Sequence, residues 1–229
     1  MKSILDTMAH TPLFDGLSQE QLTRIARIVQ QKVYQRGEAV FWDGDAGNGF
    51  YVVADGRIKI YKTSAEGKEQ ILHIYGPGHP FGEVPVFSGR RFPASAQAIE
   101  KSRLLFFPRD DFITLISRQP SLALNMLAVL SMRLRQFTVQ VENLSLKEVP
   151  ARLASYLIYL AKEQRTPSQV DLPISKGQLA SLLGTIPETL SRIFNKMSQH
   201  GLIVVEGSQI TLQNSQALED LAVGGRLDE

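Results

Sequence analysis

Two hydrophobic periods divide the chain. Between Lys32 and Phe107, short apolar and β-branched runs (AVFW, FYVV, RIKIY, QILHIY, ASAQAI and RLLFF) alternate with the turn sequences WDGDAGNG, ADGR, AEGK, YGPG and FSGR. Ten of the seventeen glycines fall between Gly37 and Gly89, so turns recur as often as short strands require. This cadence predicts an antiparallel barrel or double-sheet jelly roll. Beyond Ser121 the period becomes helical. In SLALNMLAVLSMRLRQFTVQVENLSL, the residues Leu127, Leu130, Leu134, Phe137, Val141 and Leu144 recur at spacings of 3, 4, 3, 4 and 3. That is the a/d seam of a coiled coil, narrower than the face of an ordinary core helix. Pro120 and Pro150 bound the run on either side. The seam predicts a parallel dimer helix, with a helix buried in its own domain as the alternative.

Helix signals flank these regions. Ser18 and Gln21 form a capping box, with Leu17 placed to staple onto Leu22. Leu22, Ile25, Ile28 and Val29 then make one apolar face. After the long helix, Ala151 to Gln164 reads as a helix with Leu153, Tyr156, Leu157 and Leu160 on one side, and VDLPI as a short strand. Ser175 and Gln178 cap a short helix whose Leu179, Leu182 and Leu183 face inward. Gly184 supplies the backbone freedom for a tight turn, and Pro187 suits the first position of the next helix. In that helix Leu190, Ile193, Phe194 and Met197 form the buried side. Glu188, Ser191, Arg192, Asn195 and Gln199 line the opposite face. Two helices, a glycine turn and a polar face predict a helix-turn-helix, and LIVV-EGS-QITL behind it a wing hairpin.

The alternative for that polar face is an ordinary solvated helix side. Its residue types argue otherwise. Arginine can grip guanine O6 and N7 together, glutamate can accept from cytosine N4, and serine can reach a base or a phosphate. All three occupy the first two turns, the part of such a helix that enters a major groove. The charge balance is close to neutral, with seven Lys+Arg against eight Asp+Glu from Pro150 onward, and six against four up to Asn214. Non-specific DNA affinity is therefore expected to be modest, with specificity resting on a few side chains.

Composition narrows the classes. The 229 residues suit two modest domains and a connector, and the whole-chain net charge of +2 does not by itself demand a nucleic-acid partner. The absence of cysteine excludes disulfides, thiolate zinc sites, cysteine-ligated iron–sulfur clusters and cysteine nucleophiles. MKSILDTMAHTPLF lacks the apolar core of a signal peptide, and no run suits a membrane span, so the chain reads as cytoplasmic with no membrane partner. The GGRLDE tail reads as frayed.

Within the roll, GPGHPFGEVPVFSGRRFPASA is the most site-like segment. Gly82 can let the backbone approach a ligand, and Glu83 follows at a turn, although Gly/Pro clusters more often only turn corners. His73 sits in an alternating strand, His79 in the Gly/Pro loop and His10 near the N-terminal end. No H-x-H or H-E-x-x-H occurs, which argues against a metal-dependent jelly-roll enzyme, and no metal site is assigned. A single histidine as haem axial ligand needs no motif, but a structural or surface role is the expectation for each of these histidines ahead of ligation.

Together these residues resemble the CRP/FNR superfamily of bacterial transcription regulators over nearly the whole length. The resemblance rests on the glycine-rich roll with Phe81-Gly82-Glu83, the heptad helix ending in VENLSL, the Arg152-Leu153-Ala154 helix, and LASLLGTIPETLSRIFNKM. In the last, Glu188, Ser191 and Arg192 match the E-x-x-S-R recognition-helix pattern. It implies an α+β chain: an effector-sensing, cyclic-nucleotide-binding-domain-like β-roll over 1–118, a dimerisation helix and hinge over 119–147, and a winged helix-turn-helix over 148–229. It further implies a non-enzymatic homodimer on a palindrome with TTG/CAA-type half-sites, in contact with RNA polymerase. DNA contacts then fall to Ser175, Gln178, Pro187, Glu188, Thr189, Ser191, Arg192, Asn195 and Lys196, and an effector pocket to His73, His79, Gly82, Glu83, Arg133 and Phe137.

The resemblance breaks at the effector. The cyclic-AMP branch carries an Arg-Ser pair before the alanine matching Ala94, where this chain has Phe92 and Pro93, with Arg90 and Arg91 displaced. The Thr-Ser pair of that branch is replaced by Phe137 and Thr138. Glu83 and Arg133 persist. Cyclic AMP is therefore disfavoured, and the cysteine cluster of the oxygen-sensing branch is absent. What remains resembles the cysteine-free Dnr and HcpR branches, which implies haem and nitric oxide as the effector system. A cyclic-nucleotide-responsive regulator and a metal-dependent jelly-roll enzyme fused to a DNA-binding head stay open as rivals.

Overall fold

The computed structural model describes residues 3–89 and 91–224; Arg90 and the closing residues 225–229, including most of the tail expected to fray, lie outside the described residues. The chain forms two compact units, Met1–Arg135 and Gln136–Glu229.

The first unit opens with α1 (Ile4–Ala9), a 3-10 turn at Pro12–Phe14 and α2 (Gln19–Ala26). The expected Ser18–Gln21 capping box is present, and a second one, Ser3 with Asp6, starts α1. Eight strands follow: β1 (Gln30–Tyr34), β2 (Ala39–Phe41), β3 (Gly49–Asp55), β4 (Ile58–Thr63), β5 (Glu69–Tyr75), β6 (Pro80–Phe81), β7 (Ser95–Ala98) and β8 (Ser102–Pro108). A short helix, α3 (Val84–Ser88), interrupts them inside the segment read as a loop. Two antiparallel sheets result, ordered β1-β8-β3-β6 and β2-β7-β4-β5, so the double-sheet roll is as expected.

One core lies inside the roll, where Phe41, Tyr51, Val53, Tyr75, Phe81, Phe92, Leu104 and Phe106 meet. A second lies on the outer face of the first sheet. There Phe50, Val52, Leu105 and Phe107 pack under Met8, Leu22, Ile25, Phe112, Leu122 and Met126. β3 and β8 are thus covered on both faces, which is why FYVV and RLLFF read as unbroken apolar runs rather than alternating ones. The covering layer includes α4 (Arg109–Arg118), which the sequence reading did not place.

The long helix α5 runs Pro120–Leu146, about 40 Å at 1.5 Å per residue. It carries two apolar faces, not one. Leu122, Met126 and Val129 are buried, and Leu122 and Met126 belong to the roll's outer core. Leu127, Leu134, Phe137, Val141 and Leu144 stand 59, 69, 42, 63 and 36% exposed. Leu130, assigned to the same seam, instead leans onto the outer core. The division between the two units falls inside this helix, after Arg135.

In the second unit, α6 (Val149–Gln164), β9 (Gln169–Asp171), α7 (Lys176–Leu182), α8 (Pro187–Gln199), β10 (Ile203–Glu206), β11 (Gln209–Leu212) and α9 (Ser215–Val223) follow in order. The three strands pair antiparallel as β10-β11-β9, so the wing hairpin is joined by the VDLPI strand. Leu153, Leu157, Leu160, Leu179, Leu190, Phe194, Met197, Ile203, Ile210 and Leu218 form the buried interior. The helix α9 was not foreseen. Among the described residues no single helix is long and apolar enough to cross a membrane.

Candidate functional site

The polar face of α8 is built by the short elements in front of it. The Ser175 hydroxyl accepts from the Gln178 amide while the Gln178 side chain accepts from the Ser175 amide, so α7 starts at a fixed point. At its other end the Gly184 backbone takes φ +67°, a left-handed conformation that favours glycine, and turns the chain toward α8. Ile186 is extended and Pro187 occupies the first turn, as the X-Pro restriction requires.

Along α8 the buried side is Leu190, Phe194 and Met197. Glu188, Ser191, Arg192, Asn195 and Gln199 are exposed, as the 3.6-residue period demands, and Thr189, Ile193 and Lys196 are half-buried between the two faces. The Arg192 guanidinium donates to the Thr189 hydroxyl at 3.2 Å, one turn back along the helix. This directs the arginine toward the start of α8. Thr189, Arg192, Lys196 and Ile193 line a cleft of about 270 Å³ together with Glu148 and Pro150 at the start of α6. Glu148 is a contributor the sequence reading missed. It stands at the helix N-cap without capping, and its carboxylate has no hydrogen bond or ion pair among the described residues. Ser175, Gln178 and Pro187 are engaged in fixing the helix starts, with Ser175 and Pro187 exposed.

In the first unit the predicted pocket residues divide. Arg133 of α5 forms an ion pair with Glu83, donates to the Pro80 carbonyl, and lies over the Tyr75 ring at 4.8 Å. Its partner Glu83 is buried. His73, on the same strand as Tyr75, packs its ring against it at 4.3 Å. Burial, then the Arg133 cation, then His79 push the His73 imidazole down to about 4, so it is neutral near pH 7. Burial raises Tyr75 to about 12, with Arg133 opposing and Glu83 adding to the shift. His79 is exposed, with Nδ1 3.2 Å from the Gly76 carbonyl. Phe137 belongs to the second unit.

Gly82 departs from expectation. It has φ +74°, and a Cβ there would meet the Phe41 ring at 3.1 Å and the Phe92 ring at 3.3 Å. Its freedom therefore serves the packing of the chain's own aromatic rings. Phe92 stacks on Phe41 with centroids 3.7 Å apart and planes 6° from parallel, and both are buried. Phe41 also meets Tyr51 and Phe81. The roll interior is thus lined by stacked rings at Phe92, where the resemblance to the cyclic-AMP branch would place the arginine of its Arg-Ser pair. No group of three or more His, Asp or Glu side chains suited to a metal ion occurs among the described residues.

Comparison with known proteins agrees with this geometry. Residues 31–119 match the model of the cyclic nucleotide-binding domain, and residues 151–221 that of the Crp-like helix-turn-helix domain. The chain is 33% identical to the cyclic AMP receptor protein of Thermus thermophilus, over 95% of this chain and 99% of that protein. It is 30% identical to the fumarate and nitrate reduction regulatory protein of Salmonella typhimurium, over 90% of this chain and 84% of that protein. Among solved structures, the catabolite activator protein of Thermus thermophilus superposes with a TM-score of 0.55 at 32% identity, covering 93% of this chain and 99% of that one.

Proposed function

Because the chain belongs to the CRP/FNR family of DNA-binding transcription regulators, we propose that it acts as a homodimer on a palindrome with TTG/CAA-type half-sites. The observation that carries this reading is the face of α8, where Glu188, Ser191, Arg192 and Asn195 stand exposed on a helix whose start is fixed by Gly184 and Pro187. Arg192 reads guanine and Glu188 accepts from cytosine. Ser175, Gln178, Thr189 and Lys196 supply hydroxyl, amide and cationic contacts to the flanking phosphates. The exposed stripe of α5, led by Leu127, Leu134 and Val141, pairs with the same stripe of a second copy. Two such heads about 34 Å apart meet successive major grooves on one side of the duplex. RNA polymerase is the further protein partner. Gel-shift titration with a TTG/CAA palindrome against a scrambled duplex, at fixed salt, tests the reading; equal affinity for both overturns it.

The effector acts at the cluster of His73, Tyr75, Glu83 and Arg133, which ties the roll to α5 through one ion pair. A ligand that exchanges this pair for its own contacts shifts the balance between two arrangements of the regulator. For haem with nitric oxide, the donor chemistry is met by the neutral His73 imidazole. The space is not: Phe41, Tyr51, Phe81, Phe92 and Phe106 fill the interior beside it. A Soret band that forms on reconstitution, moves with nitric oxide and is lost in His73→Ala supports the haem reading. Its absence at stoichiometric haem rejects it.

Cyclic AMP is the second reading, favoured by the persistence of the Glu83–Arg133 pair and opposed by the Phe41–Phe92 stack. Calorimetric titration with cyclic AMP and cyclic GMP decides it.

A further inference from the structure

Arg152 is a cation in an unusual place. It lies in the first turns of α6, yet its Nη1 donates to the Leu183 carbonyl at 2.6 Å, and Leu183 is the residue that ends α7. Its Nε is buried and has no hydrogen-bond partner among the described residues, nor does the side chain enter an ion pair. The guanidinium is half-buried, and the part of it withdrawn from water has a carbonyl rather than a carboxylate to offset that cost. Burial alone accounts for the downward shift of its pKa.

What the arginine gains is control of one turn. The carbonyls at the end of a helix lack intrahelical donors and carry the negative end of its dipole, so a cation there is favoured. The Thr185 amide returns to the Ala180 carbonyl at 2.9 Å and the Gly184 amide to Ser181 at 3.2 Å, which satisfies two of the α7 carbonyls from within the turn. Arg152 takes the Leu183 carbonyl from outside it. The left-handed Gly184 comes next, and α8 begins three residues later at Pro187. The direction of α8 is therefore set across a turn whose first carbonyl is held from α6. Arg192 lies five residues beyond Pro187, about 7.5 Å along α8, so a tilt of about 10° at the turn displaces its backbone by about 1.3 Å. A base contact tolerates about 0.5 Å.

We propose that Arg152 is a positioning residue for DNA reading: by holding the Leu183 carbonyl it fixes the angle between α7 and α8 and so aims Glu188 and Arg192. This rests on the reading of α8 as the recognition helix. It assigns Arg152 no contact with DNA.

The test compares wild type, Arg152→Met and Arg152→Lys in the full chain, using anisotropy with a labelled TTG/CAA palindrome and a scrambled duplex, thermal melting by circular dichroism, and amide hydrogen exchange over residues 183–190. Methionine keeps the length and removes the half-buried charge, so melting is expected to hold. Operator affinity is expected to fall about tenfold or more, the size of one lost base contact. Scrambled-duplex affinity should stay within about twofold, since no phosphate contact is removed. Exchange over 183–190 should accelerate. The lysine variant, which can still donate to the one carbonyl, is expected to recover most of the operator preference. Wild-type discrimination and unchanged exchange in Arg152→Met overturn the proposal. If the methionine variant does not fold, Arg152→Ser in its place as a folded, shorter variant must show the same loss, and wild-type discrimination there overturns it equally. A wild-type protein that ignores the palindrome sinks the recognition-helix reading instead, and the exchange data still decide whether Arg152 holds the turn.

Discussion

Arg133 of α5 and Glu83 of the roll form an ion pair with 11 and 10% of their side-chain surfaces exposed. The pair is nearly dry, and the Pro80 carbonyl and the Tyr75 ring complete the surroundings of the guanidinium. A buried pair is weak evidence of net stability, because desolvation offsets the attraction, but stranding one partner is expensive. Glu83→Ala or Arg133→Ala should each destabilise the roll by about 3–5 kcal/mol. The double variant Glu83→Ala/Arg133→Ala should lose less than the sum of the two. Urea melts of the four proteins measure this coupling, and simple additivity would count against it.

His73 makes the roll sensitive to acid. Its folded-state value of about 4 lies below the ordinary 6.5 because of burial, then the Arg133 cation, then His79; Tyr75 and the Glu83 carboxylate also stand in this cluster. The unfolded chain thus binds a proton that the folded chain refuses. The sign follows: stability is fully present above about pH 6.5 and declines as pH falls toward 4. His73→Gln should flatten the difference in urea midpoint between pH 7 and pH 5. An unchanged difference would assign the acid sensitivity to other groups.

The stripe on α5 separates interface from core. Leu134 is 69% exposed, so Leu134→Asp should leave the melting temperature of the fold nearly intact while light scattering reports monomers. Leu130, four residues earlier, packs on the outer core, and Leu130→Asp should instead destabilise the roll itself. Leu134→Asp eluting and scattering as a dimer would remove the pairing surface from the proposal.

The contrast between Leu130 and Leu134 also marks where the sequence could be read and where it could not. A heptad spacing locates apolar positions on a helix but does not say which neighbour each face meets. Here Leu122 and Met126 cover the roll on a second face that the spacing alone concealed. The helix-turn-helix was legible because every junction in it has a local cause: the Ser175–Gln178 box, the left-handed Gly184, and Pro187. The helix α3 was not, since Gly and Pro around Glu83 signal a turn and its five residues are too few for a period. The Arg133–Glu83 pair joins residues 50 apart, and the Phe41–Phe92 stack joins residues still further apart. Such contacts depend on sheet closure, which no local pattern encodes. Both residues of the ion pair were nevertheless among the expected pocket, through the family resemblance rather than through spacing.

The head itself invites the sharpest separation of roles. Few cations serve it, with six Lys+Arg against four Asp+Glu between Pro150 and Asn214, so the electrostatic share of its affinity is small and individual contacts should be resolvable. Arg192 lies exposed and is directed by Thr189 toward the start of α8, whereas Lys196, one turn on, is half-buried beside the cleft. If the arginine reads a base, Arg192→Ala should cost about 1–3 kcal/mol at one guanine position and leave the salt slope unchanged. If the lysine meets a phosphate, Lys196→Ala should weaken all sequences alike and make the slope shallower by about one. Glu188→Ala should relax base preference more than it lowers affinity, because the carboxylate accepts from cytosine but repels the backbone. Operator titrations at several salt concentrations, with single-base substitutions in the half-site, measure all three. Equal losses at every base position in Arg192→Ala, with a shallower slope, would make it a phosphate contact and leave the reading of sequence to other residues.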